Sequence, residues 1–201
     1  VDNTISDPQS PVTAAVQQLH QNAPKVQIRL QTAQLDDIER GISEGRFHCG
    51  VAPVYERKAD FDYFPLYKEY SKLYCSMSHP LYSGSCDKKI TVEILREQKI
   101  INHLYVTPRD DRRIIPLQDS GAQAVQVESV AMLILTGHFI GYLPEHYAAP
   151  FIARGQLCEL GDESVRRENP FCLIIKKGRK INPIIRLFMQ TLGLSDAEGA
   201  H

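Results

Sequence analysis

Apolar positions along the chain recur at two spacings, and they are most legible in residues 125–144, VQVESVAMLILTGHFIGYLP. Val125 and Val127 alternate with polar neighbours, which predicts a strand, whereas Val130, Leu133, Ile134 and Gly137 recur at helical spacing. Ser129 stands where an N-cap is expected, its hydroxyl accepting from a first-turn amide, and Gly137 suits the left-handed residue that closes a helix. Phe139 to Leu143 predicts a second buried strand, stopped by Pro144. A βαβ unit of this kind turns its strand ends and helix N-terminus to one edge of a sheet, where open α/β folds bind ligands. Glu128 and Ser129 are therefore candidate ligand contacts.

The same spacings organise the rest. The opening reads as if a strand had been cut through, followed by a polar turn (Asn3, Thr4, Ser6, Asp7), a capping Ser10 and Pro11 at the first helical position. Val12, Ala15, Val16 and Leu19 form the stripe of a helix that ends before Pro24. Residues 25–31 alternate strictly, predicting a strand with Val26, Ile28 and Leu30 on a buried face. Leu35, Ile38 and Ile42 predict a second helix closed by Gly45, and the small, apolar run FHCGVAP predicts a strand covered on both sides. The aromatic run at 61–84 predicts one long or two consecutive strands leading out of this first unit. A second unit follows: a helix capped by Thr91, a short strand at Ile100 and Ile101, a polar loop containing RDDRR at 109–113, and a helix from Glu145. Strands at 156–160 and 171–176 lead to a last helix opened by Asn182 and Pro183. Helices alternating with strands make this an α/β chain, expected to divide into residues 1–75 with 165–201, and 76–164.

Composition narrows the function. A formal charge of -1 gives no electrostatic case for nucleic-acid binding by this chain. No run is long enough to span a membrane, and no basic, then apolar export signal opens the sequence. Cys49, Cys75 and Cys172 lie in strand-like runs and read as small buried hydrophobes of a reducing cytoplasm. No histidine pairs with Cys, Asp or Glu at a metal-site spacing, so His79 and His138 read as turn and helix-end residues. Neither a nucleophile elbow nor a phosphate loop is present, and capping accounts for Ser6, Ser10 and Ser129 better than nucleophilic catalysis does. No enzyme, metal site or cofactor is expected. The 109–113 run reads as a solvated loop, with an anion clamp as the alternative.

Two separated segments carry a family resemblance. One is the order valine, serine-containing polar pair, apolar helix, glycine, then Phe139-Ile140-Gly141 and Tyr142-Leu143-Pro144. The other is Leu66, Glu69, the strand from Leu73 to Met77, and His79-Pro80-Leu81. Together they resemble the effector-binding domain of LysR-type transcriptional regulators, a bacterial family. The resemblance implies a two-lobed fold of the type-2 periplasmic-binding-protein kind, two α/β subdomains joined by two crossover strands, with a small effector between them. It implies effector contacts at Asn3, Thr4, Ser6, Gln34, Asn102, His103, Glu128 and Ser129, whose amides, hydroxyls and helix N-termini favour a small organic anion. It also implies a cytoplasmic homodimer or higher oligomer, the helix from Pro11 to Asn22 of one subunit near residues 129–136 of the other. DNA would be bound only through a helix-turn-helix segment that this chain lacks. One departure is Phe47-His48, where the family commonly has Leu-Asp. A solute-binding protein of transport shares the fold and is the alternative.

Overall fold

A sixteen-residue strand, β2 (Phe61–Ser76), runs through the middle of the fold. Its aromatic and β-branched content and its lack of helical periodicity make it extended, and Pro65 is tolerated where the strand is exposed. In the computed structural model residues 10–82, 92–103, 121–178 and 180–194 are described. Before β2 lie α1 (Pro11–Asn22), α2 (Leu35–Ser43) and β1 (Gly50–Pro53). After it come α3 (Val92–Arg96), β3 (Asn102–His103), β4 (Gln123–Ala124), α4 (Val127–Leu135) and β5 (Gly141–Pro144). The chain continues through α5 (Glu145–Ala153), β6 (Leu157–Leu160), β7 (Arg167–Lys176) and α6 (Pro183–Thr191).

The chain forms two compact units, Val1–Lys68 with Asn169–His201, and Glu69–Glu168. Both chain passages between them lie near the middle of a long strand, β2, or near the start of another, β7. The hydrogen-bonded order is β1-β7-β2-β5, with β6 also on β2.

In the first unit β1 pairs antiparallel with β7, Val51 opposite Leu173. Alternate residues of β7 face opposite ways, and both faces are apolar. Phe171, Leu173 and Ile175 pack with Val12, Ala15 and Leu19 of α1 and with Phe188 and Met189 of α6. Cys172 and Ile174 pack with Ile38 and Ile42 of α2. A strand covered on both sides must be apolar at every position, which is why this stretch lacks an alternating pattern. Ser10 caps α1 by accepting from the Val12 amide at 3.3 Å, and Asn182 caps α6 by accepting from the Ile184 amide at 2.7 Å, both as their sequence positions suggested. The expected strand at 25–31 is not formed: Lys25 lies in a turn and Val26 in a bend, and residues 27–31 join no ladder among the described residues.

The second unit repeats the scheme. Tyr74, Leu143, Val130, Ala131 and Ile134 form one core, and Leu73, Cys75, Leu95, Ile140 and Leu160 the other. The second half of β2 pairs antiparallel with both β5 and β6. Cys75 and Cys172 are buried free thiols and Cys49 a half-buried one, with burial pushing Cys49 and Cys75 up to about 11. Cys158 is disulfide-bonded, which their number and spacing did not suggest.

Candidate functional site

The strand through Ile100 to His103 lies between two parallel neighbours. Asn102 stands opposite Gln123 and His103 opposite Ala124, while Ile100 makes a parallel bridge to Ile140. The Asn102 amide donates to the Ala122 carbonyl at 3.1 Å and the Ile101 amide to the Ile140 carbonyl at 2.9 Å. β3 and β4 therefore end at the same edge, and only Val125 and Gln126 separate β4 from α4. Asn102, His103 and the N-terminus of α4 are thus brought to one edge of this unit, the place where open parallel sheets receive ligands.

The helix starts earlier than its sequence suggests. Gln126, with φ -110° and ψ 145°, is the N-cap, and its side chain makes no capping hydrogen bond. Val127, expected in a strand, is the first helical residue and is buried, whereas Ser129 is half-buried within the first turn. Ser129 is therefore not the cap. Burial of Val127 in the core outweighs the intrinsic preference for serine at that position. The first-turn amides consequently have no side-chain cap, which suits an anionic or hydrogen-bond-accepting ligand. Gly137 closes the helix at φ +81°, as expected.

Glu128 is exposed, so its carboxylate sits in solvent rather than facing inward. Its charge still reaches Tyr147, whose phenol is raised first by burial and then by Glu128. Gln34, in the first unit, is the N-cap of α2, exposed and without a side-chain capping bond. The first turn of α2 carries Asp36 and Asp37, which already complement the helix dipole and disfavour an anion there. Asn3, Thr4 and Ser6 lie outside the described residues, as do Thr91, the side chain of His103 and the 109–113 loop. His48, at the departure from Leu-Asp, lines an apolar cavity in the first unit.

A polar cluster in the second unit went unnoticed in the sequence. Glu69 is 8 % exposed, with the Nδ1 of His146 4.0 Å from its carboxylate. Also in this unit, Arg166 lies 3.8 Å over the Tyr70 ring and forms an ion pair with Glu145 at 3.0 Å, and Arg167 lies 3.5 Å over the Tyr142 ring. Lys72 bonds Glu159 at 3.0 Å, which raises its ammonium pKa. A buried carboxylate could have been suspected from Glu69 on a largely apolar face of β2, but its partner His146, far along the chain, could not. Among the described residues no group of three or more His, Cys, Asp or Glu side chains could hold a metal, and no helix is long and apolar enough to cross a membrane.

A family profile described as the LysR substrate binding domain matches residues 4–194. The HTH-type transcriptional activator BauR of Pseudomonas aeruginosa is 32 % identical over 195 residues, 97 % of this chain and 64 % of BauR. The chain thus spans less than two thirds of that relative's length. Among solved structures, the effector-binding domain of QuiR in complex with shikimate matches with a TM-score of 0.76 at 15 % identity, covering 94 % of this chain and 90 % of that one. The oxidised form of OxyR matches with a TM-score of 0.71 at 18 % identity, covering 95 % and 89 %. The regulatory domain of CcmR from Synechocystis PCC6803 in complex with 2-PG gives 0.71 at 16 %, covering 94 % and 91 %. These likenesses establish the periplasmic-binding-protein-like fold, and the family is that of regulators rather than of transport proteins. The chain belongs to the LysR family of transcriptional regulators, of which residues 4–194 form the substrate binding domain.

Proposed function

We propose that this domain senses a small organic anion and that its binding controls DNA binding by a full-length cytoplasmic regulator through a helix-turn-helix segment. The observation that carries the reading is the family match over residues 4–194. It is supported by the uncapped first turn of α4 beside Asn102 and His103, since free amides and an amide side chain at one edge recognise carboxylate or phosphate oxygens. The proposed contacts in the second unit are Asn102, His103 and Ser129, with Glu128 at the rim. Asn3, Thr4, Ser6 and Gln34 are contacts that the resemblance implies. The role is sensory and not catalytic. Native mass spectrometry of the freshly purified domain tests it: a retained adduct of metabolite mass, released on denaturation and lost in Ser129→Trp, is expected. A domain that carries no adduct and binds no organic acid contradicts the reading.

The domain is also proposed to form homodimers. Val130, Ala131 and Ile134 of α4 face the core, which leaves Met132 70 % and Leu135 37 % exposed on the outer side. An outward apolar stripe on so apolar a helix calls for a partner surface. Met132→Glu should leave a folded monomer by light scattering, whereas an unmodified domain that is monomeric at high micromolar concentration removes the proposal.

A further inference from the structure

The turn that follows β2 uses a histidine where turns ordinarily use an asparagine or an aspartate. His79, Pro80, Leu81 and Tyr82 form a β-turn closed by the Tyr82 amide, which donates to the His79 carbonyl at 2.8 Å, and proline at the second position supplies the φ that such a turn needs. Within it the Leu81 amide donates to the Nδ1 of His79 at 3.1 Å, the bond that a side-chain oxygen accepts in an Asx turn. An imidazole accepts at Nδ1 only while that nitrogen carries no proton. His79 is buried, and Leu81 and Tyr82 pack on the core of Leu73, Leu95 and Ile140. Ser78, one residue earlier, stands directly against Gly137, which closes α4. Among the described residues the charge that acts on His79 is that of His138, which follows Gly137, and no carboxylate offsets it.

We propose that His79 is a proton-operated latch: neutral, it holds the turn at 77–82 against the C-terminal end of α4, and protonated, it lets that turn open. A proton on Nδ1 takes away the acceptor of the Leu81 amide and leaves a positive charge buried beside His138. The open turn avoids both costs, since its imidazole lies in water. Burial, and after it the charge of His138, hold His79 below its ordinary 6.5, so the open turn takes up the proton more readily than the closed one. Opening therefore grows as pH falls from about 6.5 toward the lowered value, by up to roughly tenfold per pH unit for one proton. It withdraws Leu81 and Tyr82 from their core and Ser78 from Gly137, which loosens the end of α4. One consequence rests on the effector reading above: a ligand that orders the first turn of α4 and a proton on His79 oppose each other, each weakening the binding of the other.

Amide exchange followed by NMR in the 201-residue chain without any ligand tests the latch between about pH 7.5 and pH 5, read as protection factors so that the intrinsic pH dependence drops out. Leu81, Tyr82 and Gly137 should lose protection together below about pH 6.5, by up to roughly tenfold per pH unit, while Val51 and Leu173 keep theirs. His79→Asn retains an acceptor for the Leu81 amide that does not titrate, so its protection should stay constant with pH. His138→Gln removes the neighbouring charge and should move the loss of protection to higher pH. Constant protection in the unaltered chain, a pH dependence that persists in His79→Asn, or a parallel loss at Val51 and Leu173, which marks global unfolding, would each overturn the proposal. Because no ligand is present, failure of the latch and failure of the effector reading are told apart.

Discussion

Gly45 and Gly137 occupy the same position after their helices, yet alanine should cost far more at one than at the other. Both have left-handed backbone, φ +76° and +81°, where a Cβ costs about 1 kcal/mol. At Gly45 an added Cβ meets nothing within 4 Å, so Gly45→Ala should lose only that strain. At Gly137 the Cβ would come 2.4 Å from the Ser78 Oγ, far inside contact distance. That hydroxyl lies 2.8 Å from the Ser76 Oγ, so relieving the clash also breaks a hydrogen bond worth about 1 kcal/mol. Gly137→Ala should therefore cost about 2–3 kcal/mol. In urea, with a slope of about 2 kcal/mol per molar, the midpoint should drop by roughly 1–1.5 M for Gly137→Ala and roughly 0.5 M for Gly45→Ala, followed by circular dichroism. Ser78→Ala removes the colliding atom, after which the nearest neighbours of the Cβ lie at 3.3 and 3.5 Å. The double variant should thus be more stable than the sum of the single losses by about 1–2 kcal/mol. Equal costs at the two glycines, or additivity of Gly137→Ala with Ser78→Ala, would refute the reasoning that this helix end is fixed by its neighbour as well as by its turn.

His79 is buried and its Nδ1 accepts from the Leu81 amide at 3.1 Å, and burial followed by the charge of His138 lowers its pKa. The unfolded chain therefore takes up the proton first, so the stability from His79 is complete above pH about 6.5 and is lost as pH falls toward the lowered folded value. Denaturation midpoints should fall below pH 6.5 and flatten in His79→Asn; an unchanged slope in that variant argues against it. Glu39, 2 % exposed, accepts from the Tyr63 hydroxyl at 3.0 Å and from Lys58, and Tyr63 is pushed up to about 12 by burial first. Glu39→Ala should cost about 2–4 kcal/mol because it strands a buried hydroxyl and opens a hole, and Glu39→Gln less than half of that; equal losses in chemical denaturation would count against the arrangement. With the Cys75 thiol at about 11, only about one molecule in a thousand carries a thiolate at pH 8, so iodoacetamide should leave Cys75 intact for hours in the native domain and label it at once in urea. Labelling at equal rates would contradict its burial.

Local chemistry made much of the fold legible. Ser10-Pro11 and Asn182-Pro183 announce helix starts because the cap and the first residue act within three positions of each other. The aromatic run became β2, and Gly137 closed α4, for equally local reasons. Where burial competed with propensity, the reading failed: the helix starts at Val127, two residues ahead of Ser129. Residues 25–31 carry a strand's pattern without forming one, since a pattern specifies a face but a ladder needs a neighbour. Of the candidate contacts, Asn102, His103, Glu128 and Ser129 gather at one edge because β3 and β4 are parallel neighbours leading into α4. The Glu69–His146 contact and the stacking of Arg166 and Arg167 on Tyr70 and Tyr142 were invisible. Those side chains meet only through pairings between distant parts of the chain.

Calorimetric unfolding of the domain with a panel of organic acids tests the central claim most directly, with Asn102→Ala and Ser129→Ala run alongside. An effector at 100 times its Kd adds about 2.7 kcal/mol. At about 2–4 °C per kcal/mol for a chain of this length, the midpoint should rise by roughly 5–10 °C for at least one acid, saturably, and by much less in both variants. A panel without effect on the domain, alongside a saturable rise from a divalent metal or a nucleotide, would contradict the account.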